Sequence, residues 1–180
     1  MKRSFGLKRR TVLAAAAALP VLSCGGRAGR QYRFLTEQEA VELGAICDCL
    51  IPPDKDAGAA QAGVVKFIDL QLKGHYKKHQ TVYTQGLRAI EETARRAHQR
   101  GFRELPGEKQ RSLLEGLERN EGAREVWGEL APKQFFEMVL AHTMQGFYGS
   151  PRHGGNRDET SWKMLGVANP PVRGRLHYEV

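Results

Sequence analysis

The chain has 180 residues, which is the size of one domain with a short extension. Its formal net charge is +8. Five of those positive charges lie in residues 1–23, which contain no acidic residue, so the rest of the chain carries only +3. So small a net positive charge argues against nucleic acid as a partner. The apolar run at 13–22 is about half the roughly 20 residues that a transmembrane helix needs, so it is not a permanent membrane span.

Residues 1–23 have the pattern of an export signal. Arg9 and Arg10 precede the alanine-rich apolar run, and this twin arginine is typical of leaders read by the twin-arginine translocase. That route carries proteins that fold before they cross the membrane, often around a cofactor. We therefore expect a periplasmic location.

Cys24 ends the leader in a sequence that looks like a lipoprotein cleavage box. Its thiol would then be acylated and would anchor the chain to the membrane. The alternative is an ordinary signal that is cut near Ser23 or Gly26, with Cys24 incidental. Residues 24–33 have the composition of a polar tether, and the folded domain is expected over 34–180.

The hydrophobic pattern predicts an all-α fold, a compact bundle of about six helices. The first helix is expected to begin at Thr36 with a Glu39 capping box and to end before Pro52. The others are expected from Val64 to about Gly74, over about 77–99, from Pro106 through Leu117, around Trp127, and from Pro132 onward. No stretch alternates with the period of a strand over more than four residues.

The composition changes from Gln145 onward, where glycine and proline become frequent. Four large side chains occur among them, namely Phe147, Tyr148, Trp162 and Met164. Glycine permits close backbone approach, and aromatic side chains can pack an irregular backbone against another surface. This segment has no periodic apolar face, so we expect its aromatic side chains to be exposed and to contact a partner. The predicted contact residues are Phe147, Tyr148, Pro151, His153, Gly154, Gly155, Asn156 and Trp162.

Cys47 and Cys49 lie two positions apart on the first predicted helix and therefore point in nearly opposite directions, which disfavours a bond between them. In an oxidising compartment, a remaining cysteine suggests a disulfide to another chain. The alternative, which we favour for at least one of the two, is a buried small apolar side chain. A thiol redox pair is a weaker interpretation, because the usual two-residue gap and an adjacent base are absent.

The histidines do not form a metal-binding pattern. His75 and His79 are spaced for one helix face, but two lysines lie between them and the sequence offers no third ligand, so a solvated surface is expected. His142 follows the apolar face of the last helix and is expected to be half-buried and hydrogen-bonded. His153 is either a contact to a partner chain or a brace of its own loop.

The chain carries no recognisable cofactor motif. It contains no Gly-rich dinucleotide fingerprint, phosphate loop, haem attachment sequence or zinc-spaced Cys and His set. We expect no catalytic residue, cofactor or metal in this chain. A twin-arginine leader on such a chain makes sense if it is exported together with a partner that carries the cofactor.

Several short sequences in order along the chain together resemble the small subunit family of gluconate 2-dehydrogenase. The closing Gly-Gly-Asn and Trp pattern is the most specific part of the resemblance. The residues that carry it are Phe34-Leu35-Thr36 with Glu39, Asp48-Cys49-Leu50-Ile51-Pro52, Ala62-Gly63-Val64 with Phe67-Ile68-Asp69, Phe102 with Leu105, and Gly146-Phe147-Tyr148-Gly149-Ser150-Pro151-Arg152-His153-Gly154-Gly155-Asn156 with Trp162 and Leu165-Gly166.

This resemblance implies a non-catalytic small subunit beside a large flavoprotein of the glucose-methanol-choline type, which binds FAD and oxidises a sugar, sugar acid or polyol. A cytochrome c subunit with haem often completes such complexes at the membrane. The small subunit typically carries the export leader and helps the flavin subunit to mature. The alternative is an independent helical lipoprotein that binds a small ligand, or a thiol-redox protein that uses Cys47 and Cys49.

Overall fold

The computed structural model describes residues 31–167, and every regular element in that range is helical. Seven α-helices follow one another, and short 3-10 turns lie at Lys77–His79, Phe102–Glu104, Pro151–His153 and Arg157–Glu159. The α-helices are α1 (Glu37–Leu50), α2 (Val64–Lys73), α3 (Gln80–His98), α4 (Gly107–Glu118), α5 (Arg124–Trp127), α6 (Pro132–Tyr148) and α7 (Thr160–Met164). The prediction of an all-α fold is confirmed, and α7 lies in the segment that was expected to be irregular.

The start of α1 agrees with its sequence pattern. The Glu39 amide donates to the Thr36 hydroxyl at 3.2 Å, and the Glu39 carboxylate accepts from the Thr36 amide at 2.8 Å, which is the predicted capping box. The third helix differs from expectation, because its first turn is a separate 3-10 turn and α3 begins only at Gln80. Gly74, with φ −117° and ψ −112°, breaks the helical backbone before that turn.

A buried carboxylate fastens the amino-terminal segment of the domain to α2. Asp69 is only 2% exposed, and it accepts hydrogen bonds from the backbone amides of Arg33, Phe34 and Leu35 at 2.7, 2.8 and 2.9 Å. A buried charge is tolerated only where such partners replace its water. The position at which the chain enters the bundle is therefore fixed by one side chain of α2.

Helix α6 lies at the centre of the bundle and packs against α1, α2, α3, α4 and α7. Its apolar face buries Phe135 and Phe147, which join Leu43 of α1, Ile68 of α2 and Tyr83 of α3 in the core. Each such side chain contributes about 1.5–3 kcal/mol when it leaves water. The core therefore holds α6 rigidly, and the segment that follows α6 starts from a fixed point.

Glycine at two positions allows close packing around the end of α6. A Cβ added at Gly146 would lie 2.8 Å from Cδ1 of Phe67, so α2 and α6 approach closely at this point. A Cβ added at Gly155 would lie only 2.1 Å from the carbonyl oxygen of Gly146, so backbone packs against backbone there. No side chain fits in that contact, because the atom it would meet belongs to a helix backbone that cannot rotate away.

We expect Gly155→Ala to lower the free energy of unfolding by at least about 2 kcal/mol, since overpacking of a well-packed contact typically costs about 1–3 kcal/mol. Urea unfolding followed by circular dichroism measures the change. Gly107→Ala is the matched control, because a Cβ there meets no atom within 4 Å. Equal stability of the two variants would show that the segment does not sit tightly on α6.

Candidate functional site

The segment after α6 is held by the side chain of Asn156, which is fully buried. Its amide nitrogen donates to the Gly149 carbonyl at 2.9 Å, and its carbonyl oxygen accepts from the Ser161 amide at 2.9 Å. Asn156 also adopts a left-handed backbone with φ 43°, which asparagine tolerates better than most residues. One side chain therefore links the end of α6 to the start of α7.

A second hydrogen bond seats α7 beside α6. The indole nitrogen of Trp162 donates to the Tyr148 carbonyl at 3.0 Å, and this carbonyl is one that the last turn of α6 leaves without a helical partner. The Val167 amide then donates to the Trp162 carbonyl at 2.9 Å. The residues after α7 are thus placed next to the last turn of α6.

This arrangement brings the exposed apolar side chains of α6 and of the segment after it into one region of the molecule, which we call the C-terminal face. Six large apolar side chains are at least 37% exposed among the described residues, and all but Val41 lie in α6 or in residues 164–167. The face consists of Met144 (43% exposed), Tyr148 (37%), Met164 (39%), Leu165 (57%) and Val167 (46%). Clustered exposure of this kind marks an interaction surface more often than scattered exposure does.

An open groove of about 500 Å³ enters the C-terminal face between α2 and α6. Phe67, Met144 and Tyr148 line it with apolar surface, and His153 stands at its edge. Arg152, whose Nε donates to Nε2 of His153 at 3.4 Å, adds a positive charge at that edge. The groove is therefore an apolar depression with a basic margin.

The exposure predicted for Phe147 is wrong. Phe147 has no exposed surface and packs into the core, because α6 continues through Tyr148 and helical geometry turns these neighbours to different sides. Gly155 and Asn156 are also buried, so they shape the segment and do not themselves offer contact surface.

The other predicted contact residues retain at least partial exposure. Tyr148 and His153 are exposed, whereas Pro151, Gly154 and Trp162 are half-buried. Their role as contacts stays a prediction. Sequence reasoning missed Met144, Leu165 and Val167. The helical period through α6 was the available signal for Met144, which stands off the apolar face.

The two cysteines of the bundle are both free thiols. Cys47 is fully buried with its sulfur 3.3 Å from the Thr143 hydroxyl, and burial raises the pKa of its thiol to about 12. Cys49 is half-buried and donates to the Gln110 side-chain oxygen at 3.3 Å, and burial also raises its pKa. Cys47 is thus the buried apolar-like residue expected for one of the pair, and another chain cannot reach it in this fold. A disulfide to a partner stays a prediction for Cys49.

Arg9, Arg10 and Cys24 lie outside the described residues, so their roles stay predictions. Among residues 31–167, no helix combines the length and apolar character needed to cross a bilayer. The same range contains no group of three or more His, Cys, Asp or Glu side chains arranged to hold a metal ion.

A neutral histidine stands between two tyrosines behind the groove. His142 is 6% exposed, stacks on Tyr76 with ring centroids 3.8 Å apart, and shares a 2.9 Å hydrogen bond between Nδ1 and the Tyr83 hydroxyl. Burial, and to a smaller extent nearby His79, lowers the pKa of His142 to about 4. The Tyr76 hydroxyl donates to Gln145, which lines the groove. The expectation of a hydrogen-bonded His142 is confirmed, although its side chain is buried and not half-buried as predicted, and the cluster supports the groove wall.

Stability should fall with acidification because of His142. An unfolded histidine titrates near 6.5 and folded His142 near 4, so between these values the unfolded chain binds more protons and folding is disfavoured as pH drops. We expect the wild type to lose about 3 kcal/mol more than His142→Phe between pH 7 and pH 4, as measured by urea unfolding at each pH. The same loss in both proteins would show that His142 is protonated in the fold.

The chain matches one family model, described as gluconate 2-dehydrogenase subunit 3, over residues 37–169. Neither a curated protein nor a solved structure matches the chain. The family match begins with α1 and includes the whole C-terminal face. Because the match covers most of the chain, the protein belongs to the gluconate 2-dehydrogenase subunit 3 family, and it is an accessory subunit of a multi-subunit dehydrogenase complex.

Proposed function

We propose that this chain is the non-catalytic small subunit of a periplasmic, membrane-associated dehydrogenase that oxidises a sugar, sugar acid or polyol with FAD. The FAD belongs to a large partner of the glucose-methanol-choline type, and the small subunit docks on that partner through the C-terminal face. The observation that carries this proposal is the cluster of exposed apolar side chains on a rigidly built segment.

The C-terminal face has the anatomy of a protein interface. Its centre is apolar and includes two methionines and a tyrosine, residue types that are enriched in interface cores. Its margin carries the exposed charges of Arg152 and Lys163, which suits a polar rim. The buried Asn156 bonds and the Gly155 contact order this segment in advance, so little conformational entropy is lost when a partner binds.

Among the described residues, the histidine and cysteine side chains in the core are poorly placed to act on a substrate. His142 is neutral, buried and engaged with Tyr83, and Cys47 is buried with a thiol that stays protonated near neutral pH. His153 lines the groove together with Ser150, but no hydrogen bond joins their side chains and no carboxylate is among the described residues that line it. An accessory role therefore fits better than catalysis. We extend the proposal to a cytochrome c subunit, with haem, as a third member of the complex.

Docking is tested by copurification of the flavin subunit with tagged variants of this chain. Met164→Glu places a charge in the centre of the face, and truncation or disruption of a central contact commonly costs more than about 2 kcal/mol of binding. We expect the recovered flavin subunit to fall at least about tenfold while the circular dichroism of the variant stays unchanged, since Met164 is already 39% exposed.

Thr84→Glu is the matched control for this experiment, because Thr84 is an exposed helical position outside the C-terminal face. It should leave recovery unchanged. Full recovery with Met164→Glu would place the docking site elsewhere. A stable, colourless monomer from wild-type cells would instead support an independent lipoprotein.

Joint export is tested by exchanging Arg9 and Arg10 for lysine. If the flavin subunit has no leader of its own, both chains should remain in the cytoplasm, which cell fractionation followed by a dehydrogenase assay would detect. Arg3→Lys is the control, since it lies outside the twin-arginine pair. An active periplasmic partner in the double variant would exclude a shared leader.

Mass spectrometry of the exported wild-type chain tests the acylation of Cys24, which should carry a diacylglyceryl group.

A further inference from the structure

A second groove, of about 580 Å³, lies along α1, and we call it the α1 groove. Ala40, Gly44 and Ala45 form a floor of small residues, and Tyr32 and Val41 stand at the edge. Val41 is 43% exposed and is the large apolar side chain that does not belong to the C-terminal face. The α1 groove is thus apolar at its base and open to solvent.

Three exposed cations surround the α1 groove, namely Lys66, Arg103 and Arg157. None of the three forms an ion pair with another residue of the described range. The carboxylate that lines the groove, Asp48, already accepts the Ala60 amide at 2.8 Å. With three cations and one carboxylate among the residues that line it, the groove has a local excess of positive charge.

The fold places Arg157 at the groove. Its amide donates to the Ala62 carbonyl at 2.8 Å, which ties the segment after α6 to the start of α2. Its guanidinium lies against Gly63, where an added Cβ would be 3.6 Å from Nη2. The position of this charge is set by tertiary contacts and not by local sequence.

The chain reaches the proposed lipid anchor from this same groove. Gln31 and Tyr32 line the groove, and Cys24 lies seven residues before Gln31. Seven residues extend to at most about 25 Å, so an acylated Cys24 would keep the α1 groove close to the bilayer. The connecting residues add the positive charges of Arg27 and Arg30.

These charges stand out because the domain is otherwise balanced. Of the 28 Lys and Arg residues, seven precede Gln31 and two follow Val167, which leaves 19 in the described range. Of the 20 Asp and Glu residues, only Glu179 lies outside it, which also leaves 19. The excess of positive charge at this groove, beside a basic tether, is therefore local.

We propose that the α1 groove faces the membrane and binds anionic phospholipid headgroups through Lys66, Arg103 and Arg157. Tyr32 and Val41 would then lie at the level of the headgroups, where an aromatic ring with a polar end is favoured. The orientation follows from the membrane anchoring proposed above, whereas headgroup binding follows from the groove itself. The C-terminal face remains available for the flavin subunit.

The test uses the mature chain with Cys24→Ser, so its result does not depend on acylation. Its partition onto vesicles of 30% phosphatidylglycerol in phosphatidylcholine is measured by sedimentation. Each Lys or Arg near an anionic surface contributes about 1 kcal/mol, so changing all three groove cations to glutamine should weaken partition about 100-fold. Pure phosphatidylcholine vesicles, and the mixed vesicles in about 0.5 M salt, should bind little protein.

The control variant changes Arg88, Arg100 and Lys109 to glutamine, three exposed cations outside the groove with the same total charge. It should reduce partition less than about threefold, and flavin-subunit recovery should be normal for both triple variants. Equal loss in the two variants, or no wild-type binding to the anionic vesicles, would overturn the proposal. Unchanged vesicle binding with lost flavin-subunit recovery in the groove variant would assign the groove to a protein partner instead.

Discussion

The contact between Gly155 and the backbone of α6 at Gly146 is the constraint on which the functional surface depends. Because Gly155 has no side chain, the segment after α6 can turn back and lie on the helix it has just left. Asn156 can then bond to both Gly149 and Ser161, and α7 is fixed beside the last turn of α6. The apolar side chains of the C-terminal face are held outward as a result. A bulkier residue at this contact would move all of them together.

The buried polar groups around α6 are either neutral or hydrogen-bonded to the backbone. His142 is neutral and stacked between tyrosines, Cys47 is a protonated thiol, and Asp69 is satisfied by three backbone amides. Buried groups of this kind brace a fold, since each partner lost would leave an unsatisfied polar atom in the core. A local excess of positive charge lies at the α1 groove, and the exposed large apolar side chains lie mainly at the C-terminal face. The folded bundle therefore carries two distinct surfaces, which share no residue.

The features that could be predicted from the sequence are those set by interactions between residues close together in the chain. The capping box of Thr36 and Glu39 and the apolar periodicity of α6 both depend on residues a few positions apart, so both could be predicted from the sequence. For the Gly-rich segment from Gln145 onward, the sequence predicts the wrong exposure for some side chains. Phe147 was expected outside and lies in the core, because the pattern of α6 was ended too early at the glycines. Met144 was missed for the same reason.

The sequence by itself determined the helical class, the start of α1 and the family resemblance, since these rest on local propensities and on ordered short motifs. Only the tertiary structure decided what those motif residues do. The two bonds of Asn156, the three bonds of Asp69 and the placement of Arg157 beside Gly63 all join positions that are separated along the chain or oriented by the fold. Such contacts form only after the helices pack, because packing alone sets which backbone groups are left without partners and which glycines are approached.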